Sequence, residues 1–188
     1  MSTTRRSLLF TPGDRADRMR KAPTFGSDIV CFDLEDGVAP ARKDEARAKV
    51  NEVLVDPVFD PDPEVCIRLT PDAAADLNVV LDGDVRIDAV QVPKAESAGD
   101  VKRVAGLLAD AGHAVPVFAL IETARGVLAA EEIASAAPTE MLCFGAEDLT
   151  ADLGAETGPD RAEVAYARQR TLLAARAAGT MALDSPYV

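Results

Sequence analysis

Strand-like and helix-like segments alternate along this chain, and that alternation constrains its fold more than any other feature. Short apolar runs bounded by turn residues are typical of buried strands, and they occur at residues 7–10, 28–32, 65–69, 89–92, 115–121, 141–144 and 181–183. Helix-like stretches lie between most of them, most clearly at residues 44–54, 98–111, 126–136 and 162–178. Strand alternating with helix predicts parallel βαβ units.

Seven strand-like runs favour a (β/α)8 TIM barrel over an open nucleotide-binding sheet, because no glycine-rich fingerprint follows the first run. Such barrels usually need about 250 residues, whereas the sequence has 188. We therefore predict a single barrel-type domain over residues 1–188, incomplete at the C-terminus, with about seven βα units and the eighth strand missing. On this interpretation the sequence is a fragment, or its eighth strand comes from elsewhere.

Composition excludes several classes of function. A net charge of −12 argues against a nucleic-acid partner. No apolar run reaches the roughly 18 residues that a membrane span needs, and the first apolar stretch soon meets Pro12 and Gly13, unlike a signal peptide. We expect a cytoplasmic protein without membrane contact. Cys31, Cys66 and Cys143 fall in predicted strands and are expected to be buried thiols, which agrees with a reducing compartment.

Two of the apolar runs end on carboxylates. Glu122 follows one run directly, and Glu147 and Asp148 follow another after a Gly-Ala pair. Acids at the C-terminal ends of parallel strands meet at one rim, where two of them can hold a hard divalent cation. A lone acid there is often only a helix cap, but that alternative is weaker for two successive strands. Carboxylate ligands favour Mg²⁺ or Mn²⁺.

Opposite charges occur at two other strand ends. The second strand ends in Asp33-Leu34-Glu35-Asp36, whose acids repel one another unless a cation, an arginine or a shared proton intervenes. Arg68 ends the third strand, and a charge in line with an apolar strand needs a partner. Arg68 is predicted to pair with Glu35, to bind a substrate carboxylate or oxyanion, or to do both.

Three further side chains have open or minor roles. Lys94 follows the fourth strand, where we favour an electrostatic role over a Schiff base. Arg15 either meets an anionic substrate or is a solvated turn residue. His113 is the only histidine and follows a helix-ending glycine, which argues against a Ser-His-Asp triad and a His-rich zinc site in this chain.

Several motifs occur together in one order and resemble those of the citrate lyase beta subunit family, within the HpcH/HpaI aldolase superfamily. They are Arg6-Ser7-Leu8-Leu9-Phe10-Thr11-Pro12-Gly13, Asp33-Leu34-Glu35-Asp36, Arg68, Pro93-Lys94, Ile121-Glu122-Thr123 and Phe144-Gly145-Ala146-Glu147-Asp148-Leu149. The resemblance implies a (β/α)8 barrel that forms a homotrimer or homohexamer. It also implies Mg²⁺, or Mn²⁺, on Glu122 and Asp148, and substrate binding by Arg68.

Three departures from the family pattern matter. Leu69 is followed by Thr70 where the family often has Asn, and Asp36 stands where the simple 2-oxo acid aldolases have His, which favours the acyl-CoA branch. The resemblance also implies that the family's C-terminal segment, with a further catalytic acid and a lid over a neighbouring subunit, is missing from this sequence.

The resemblance implies reversible carbon–carbon cleavage of a 3-hydroxyacyl-CoA, such as citryl-, citramalyl- or malyl-CoA, into an acyl-CoA and a 2-oxo acid. Arg68 would stabilise the enolate oxygen, with Glu35 orienting Arg68 or a metal-bound water, and Arg15 and Lys94 would join Arg68 in binding substrate. The alternatives are a malyl-CoA-type thioesterase, a phosphoenolpyruvate-type Mg²⁺ barrel, and a non-catalytic CoA-binding subunit that lacks the C-terminal base.

Overall fold

A computed structural model describes residues 5–186 of the chain. Within these residues seven strands alternate with helices, which confirms the predicted α/β class. The chain divides into two compact units: one runs up to Gln91 and includes Leu107–Val115, and the other comprises Val92–Gly106 and the chain from Pro116 onwards.

The first unit is built on parallel strands that pair in chain order. They are β1 (Leu8–Pro12), β2 (Ile29–Asp33), β3 (Glu64–Arg68) and β4 (Ala89–Val92), the last of which ends at the unit boundary. Every residue of β2 is buried, as expected for a parallel strand covered on both faces. The helices are α1 (Ala16–Lys21), α2 (Lys43–Leu54) and α3 (Ala73–Val80), and α4 (Ala98–Asp110) has residues in both units.

Strand register places particular side chains side by side at the ends of β2 and β3. Asp33 is the register partner of Pro12 on one side and of Arg68 on the other, and Arg68 is in turn opposite Gln91. The last residues of β2 and β3 are thus an acid and a base on neighbouring strands.

The second unit contains the parallel strands β5 (Val117–Ile121), β6 (Thr139–Phe144) and β7 (Met181–Leu183). Ile121 and Phe144 are register partners, so the residues that follow β5 and β6 leave the strands at the same level. The helices of this unit are α5 (Ala124–Ala134), α6 (Ala146–Asp152) and α7 (Ala165–Ala178).

The predicted strands are confirmed to within a few residues. The fifth starts at Val117 rather than 115, because Pro116 has no N–H to donate to a strand ladder. Gly112 and Gly179 take the left-handed conformation (φ 80° and 76°) expected of glycines just past helix ends. The last predicted helix splits into a 3₁₀ turn at Ala162–Val164 and α7, and α6 was not predicted.

Other expectations have mixed outcomes. Cys31, Cys66 and Cys143 are buried, as predicted. None of the helices within residues 5–186 has the length and apolar character of a membrane span. The same residues provide seven strands, and the closed eight-stranded barrel and the single-domain organisation stay predictions.

Candidate functional site

Glu122 directly follows β5 and is 3% exposed. Its Oε1 accepts a hydrogen bond from the backbone N–H of Lys94 at 2.9 Å. The next residue, Thr123, caps α5 by accepting from the N–H of Gly126 at 3.0 Å. The chain therefore turns from strand to helix immediately after Glu122, which fixes the position of its carboxylate.

Gly145 is the residue that makes room for this carboxylate. It follows β6, and its N–H donates to the carbonyl of Ile121 at 3.0 Å. A Cβ at position 145 would stand 2.7 Å from both Cβ and Oε2 of Glu122. Real Cβ atoms essentially never approach so closely, so only glycine fits where the chain passes Glu122.

The two acids in the first turn of α6 point to different partners. Asp148 Oδ2 lies 2.8 Å from Lys94 Nζ, whereas Glu147 Oε1 lies 2.5 Å from Arg161 Nη2. Both acids stabilise the positive end of the helix dipole, and neither caps the helix, because its N-cap is Gly145 without a side-chain bond. The neighbouring acids are thereby separated, with Asp148 on the side of Lys94.

Lys94 contacts the carboxylates of both Glu122 and Asp148. Its backbone N–H binds Glu122 and its ammonium binds Asp148. Its φ of 47° lies in the left-handed region, which is uncommon for any residue other than glycine and is frequent at functional sites. Sequence reasoning placed these three residues at strand ends, and the structure brings them together.

The donor set suits a hard divalent cation. Glu122 and Asp148 offer carboxylate oxygens from two neighbouring strand ends, and the side chain of Asp148 is 35% exposed, which gives access from solvent. Residues 5–186 contain no cluster of three or more His, Cys, Asp or Glu that could hold a metal. Two protein carboxylates leave coordination positions for water or substrate oxygens, the arrangement that Mg²⁺ commonly uses.

In the first unit, Arg68 forms the centre of an ion-pair cluster. Its Nε and Nη2 donate to the two carboxylate oxygens of Asp33 at 2.7 and 2.6 Å, and its Nη1 lies 3.2 Å from Glu35 and 3.5 Å from Asp36. The Phe10 ring lies 4.8 Å from the guanidinium carbon, within range of a cation–π contact. The charge of Arg68 offsets the repulsion among Asp33, Glu35 and Asp36, for which the sequence pattern predicted a cation, an arginine or a shared proton.

The pairing of Arg68 with Glu35 is confirmed, but the bidentate partner is Asp33, whose role sequence reasoning missed. Burial disfavours the charged guanidinium; the hydrogen bonds and charge of Asp33, helped by Glu35, outweigh it and raise the pKa of Arg68 above its usual value. Asp33 also accepts from the N–H groups of Glu35 and Gly37, each at 2.8 Å. Asp33 thus fixes both the turn after β2 and the guanidinium.

The remaining candidates, Arg15 and His113, make local contacts. Arg15 precedes α1, and its Nε lies 3.3 Å from Asp17, with the arginine side chain 43% exposed. His113 ends α4 through its backbone N–H, which donates to the carbonyl of Leu108 at 2.8 Å. These contacts fit a solvated turn for Arg15 and a helix end for His113.

Comparisons with known proteins place the chain among relatives of one family. The family model for HpcH/HpaI aldolase/citrate lyase matches residues 6–188. A citrate lyase subunit beta-like protein of Mycobacterium tuberculosis is 41% identical over 190 residues, which is 96% of this chain and 63% of that protein. A (3S)-malyl-CoA thioesterase of Cereibacter sphaeroides is 34% identical over 186 residues, 97% of this chain and 63% of that protein.

The fold has a close counterpart among solved structures. The citrate lyase beta subunit of M. tuberculosis, solved with oxaloacetate and magnesium, superimposes with a TM-score of 0.80 at 39% identity, over 96% of this chain and 78% of that one. The chain spans just under two thirds of the length of its curated relatives. The matches to sequence, family model and fold show that this chain belongs to the HpcH/HpaI aldolase/citrate lyase family.

Proposed function

We propose that this chain carries the metal and substrate residues of a Mg²⁺-dependent carbon–carbon lyase that reversibly cleaves a 3-hydroxyacyl-CoA into an acyl-CoA and a 2-oxo acid. The observation that carries the proposal is the pairing of Glu122 and Asp148 around Lys94 after two neighbouring strands. The related M. tuberculosis subunit, crystallised with oxaloacetate and magnesium, supports both the ion and the class of product.

Glu122 and Asp148 would hold the Mg²⁺, which polarises the carbonyl of the 2-oxo acid fragment when bound. The protein holds the two carboxylates in place. Glu122 is fixed between the Lys94 N–H and Gly145, and Asp148 is held by the first turn of α6. Burial of Glu122 keeps one ligand away from bulk water, while the more exposed Asp148 leaves a route for the ion.

We assign Arg68 the stabilisation of the enolate oxygen that forms on the thioester. A fixed donor aimed at developing negative charge is worth about 2.7–4 kcal/mol of transition-state stabilisation in comparable sites. The bidentate grip of Asp33 holds the guanidinium in one orientation, and Nη1, on the side of Glu35, is the group we assign to substrate. Arg15 and Lys94 are proposed to meet the anionic parts of the substrate.

A malyl-CoA thioesterase is the second candidate, because a relative with that name is 34% identical to the chain. The same carboxylates and arginine would serve hydrolysis. The products separate the two activities, since hydrolysis of malyl-CoA releases malate and CoA without glyoxylate.

The test compares wild type with Glu122→Gln and Asp148→Asn in Mg²⁺ buffer, with malyl-CoA and citramalyl-CoA as substrates. Release of the 2-oxo acid and of CoA is followed separately, and calorimetry measures metal binding. We expect each variant to lose at least about 100-fold in metal affinity and turnover, because each removes a ligand rather than a supporting group. Glu131→Gln, a change at an exposed acid on α5, is the matched control.

Normal turnover in either ligand variant would overturn the metal site. Metal binding without any cleavage, in a wild type that binds the acyl-CoA, would instead indicate the non-catalytic subunit. Malate as sole acid product would establish the thioesterase.

A further inference from the structure

Two of the contacts of Lys94 differ in kind. Its backbone N–H supports Glu122 and belongs to the fixed part of the site, whereas its ammonium pairs with Asp148 through a flexible side chain. The two contacts can therefore change independently. The left-handed φ of 47° shows that the surroundings hold the backbone of Lys94 in a conformation that it would otherwise avoid.

The ammonium lies where it competes with a metal ion. Lys94 Nζ is 2.8 Å from Asp148 Oδ2, the carboxylate assigned to the divalent cation. A dication bound to the same oxygens would lie within a few ångströms of the ammonium, and like charges at such distances repel strongly. The side chains of Lys94 and Asp148 are 44% and 35% exposed, so the ammonium has room to leave.

We propose that Lys94 is a built-in counter-cation of Asp148 that a divalent metal ion must displace, and that the displaced ammonium then pairs with an anionic group of the substrate. This inference rests on the proposed metal site at Glu122 and Asp148. It adds a regulatory property to that site: metal and carboxylate ligand bind cooperatively, because the metal releases the group that the ligand needs.

The proposal predicts a change in metal affinity opposite in direction to that expected for a residue that simply supports the site. Removing the ammonium removes a competitor, so a variant without it binds metal more tightly when no substrate is present. It binds the carboxylate ligand more weakly, and the coupling between the two ligands falls, in both directions, by the same factor. A residue that simply helped to hold the metal would lower metal affinity when removed.

The experiment measures Mn²⁺ binding to the full chain by electron paramagnetic resonance and calorimetry, first with Mn²⁺ alone and then with saturating pyruvate. Lys94→Met keeps the length of the side chain without its charge. Lys94→Gly keeps the backbone N–H and suits the left-handed conformation. Lys102→Met removes the charge of an exposed lysine on α4 and is the matched control.

For both Lys94 variants we expect Mn²⁺ alone to bind about two- to five-fold more tightly than to wild type, the size expected for loss of a partly exposed ion pair. We also expect pyruvate to strengthen Mn²⁺ binding less than it does in wild type. Lys102→Met should behave as wild type in both measurements.

The outcomes separate this inference from the proposed function. If wild type binds Mn²⁺ and Glu122→Gln does not, but Lys94→Met binds it equally or more weakly, Lys94 is a supporting residue and the inference is wrong. If Mn²⁺ binding to wild type is absent, or survives in both Glu122→Gln and Asp148→Asn, the metal site itself is wrong and the inference falls with it.

Discussion

Gly145 passes so close to Glu122 that an added Cβ would stand 2.7 Å from the glutamate Oε2. We therefore predict that Gly145→Ala displaces the carboxylate and lowers Mg²⁺ affinity about 10- to 100-fold, as loss of a group that orients a ligand does. The overpacking should also destabilise the fold by about 1–3 kcal/mol.

Calorimetric Mg²⁺ titration and thermal unfolding test this prediction. Gly106→Ala is the control, because a Cβ at that exposed position in α4 would meet nothing within 4 Å. It should keep metal affinity and gain up to about 1 kcal/mol of stability. If Gly145→Ala binds Mg²⁺ as tightly as wild type, the close approach of Gly145 to Glu122 is not needed for metal binding and the prediction is wrong.

The neighbouring acids of α6 should differ sharply in metal binding. Glu147 pairs with Arg161 and Asp148 with Lys94, so only Asp148 is assigned as a ligand. We predict that Glu147→Gln changes Mn²⁺ affinity by less than about five-fold, because a partly exposed ion pair contributes only up to about 1 kcal/mol. Asp148→Asn should weaken binding at least about 100-fold, and equal losses in the two variants would refute the assignment.

Asp33 should matter more for stability than Glu35, although both contact Arg68. Asp33 makes two hydrogen bonds of 2.6 and 2.7 Å to the buried guanidinium, whereas Glu35 approaches it to 3.2 Å. Removing one member of a buried ion pair costs about 3–5 kcal/mol, so Asp33→Asn should lower the free energy of unfolding by about 3 kcal/mol. Urea unfolding should show a smaller effect for Glu35→Gln, and the reverse order would contradict this view of the cluster.

Asp28 should make the free energy of unfolding depend on pH. The Arg6 side chain and then its backbone N–H hold the pKa of Asp28 well below its usual 3.8. A lowered folded-state pKa means that the contribution is complete above the unfolded-state pKa and is lost as the pH falls towards the folded-state value. The stability difference between wild type and Asp28→Asn should therefore be largest above about pH 4 and shrink at lower pH.

Urea midpoints measured at intervals between about pH 7 and pH 2 would show this change. Asp62→Asn, in an exposed loop position, serves as the control and should follow wild type throughout. High salt should reduce the Asp28 effect, because exposed charges are screened. A difference that stays constant as the pH falls would rule out Asp28 as its source.

The sequence was enough to predict the strands and the acids that follow them, because a continuous apolar run marks a buried strand and the next residue must lie at its end. Glu122 and Asp148 could be proposed in this way, with the family resemblance supporting the choice. Choosing between Glu147 and Asp148 from spacing alone was not possible, since their directions depend on the first turn of α6, a helix of seven residues that the sequence pattern did not reveal.

The contacts of Asp33 and those of Lys94 could not be predicted from the sequence, and the physical reason differs between the two residues. Asp33 meets Arg68 only because β2 and β3 pair in one particular register, and one residue of slip would turn its side chain to the other face. Lys94 contacts both Glu122 and Asp148 with its backbone at a positive φ, which nothing in a Pro-Lys sequence indicates.

Alkylation of the three buried cysteines would report how this protein unfolds. Cys31 and Cys66 lie in β2 and β3 of the first unit, and Cys143 lies in β6 of the second. An alkylating reagent can reach each sulfur only when its strand separates from its neighbours. The order in which the three thiols become labelled in mild denaturant would therefore show whether the two halves of the chain melt together or one after the other.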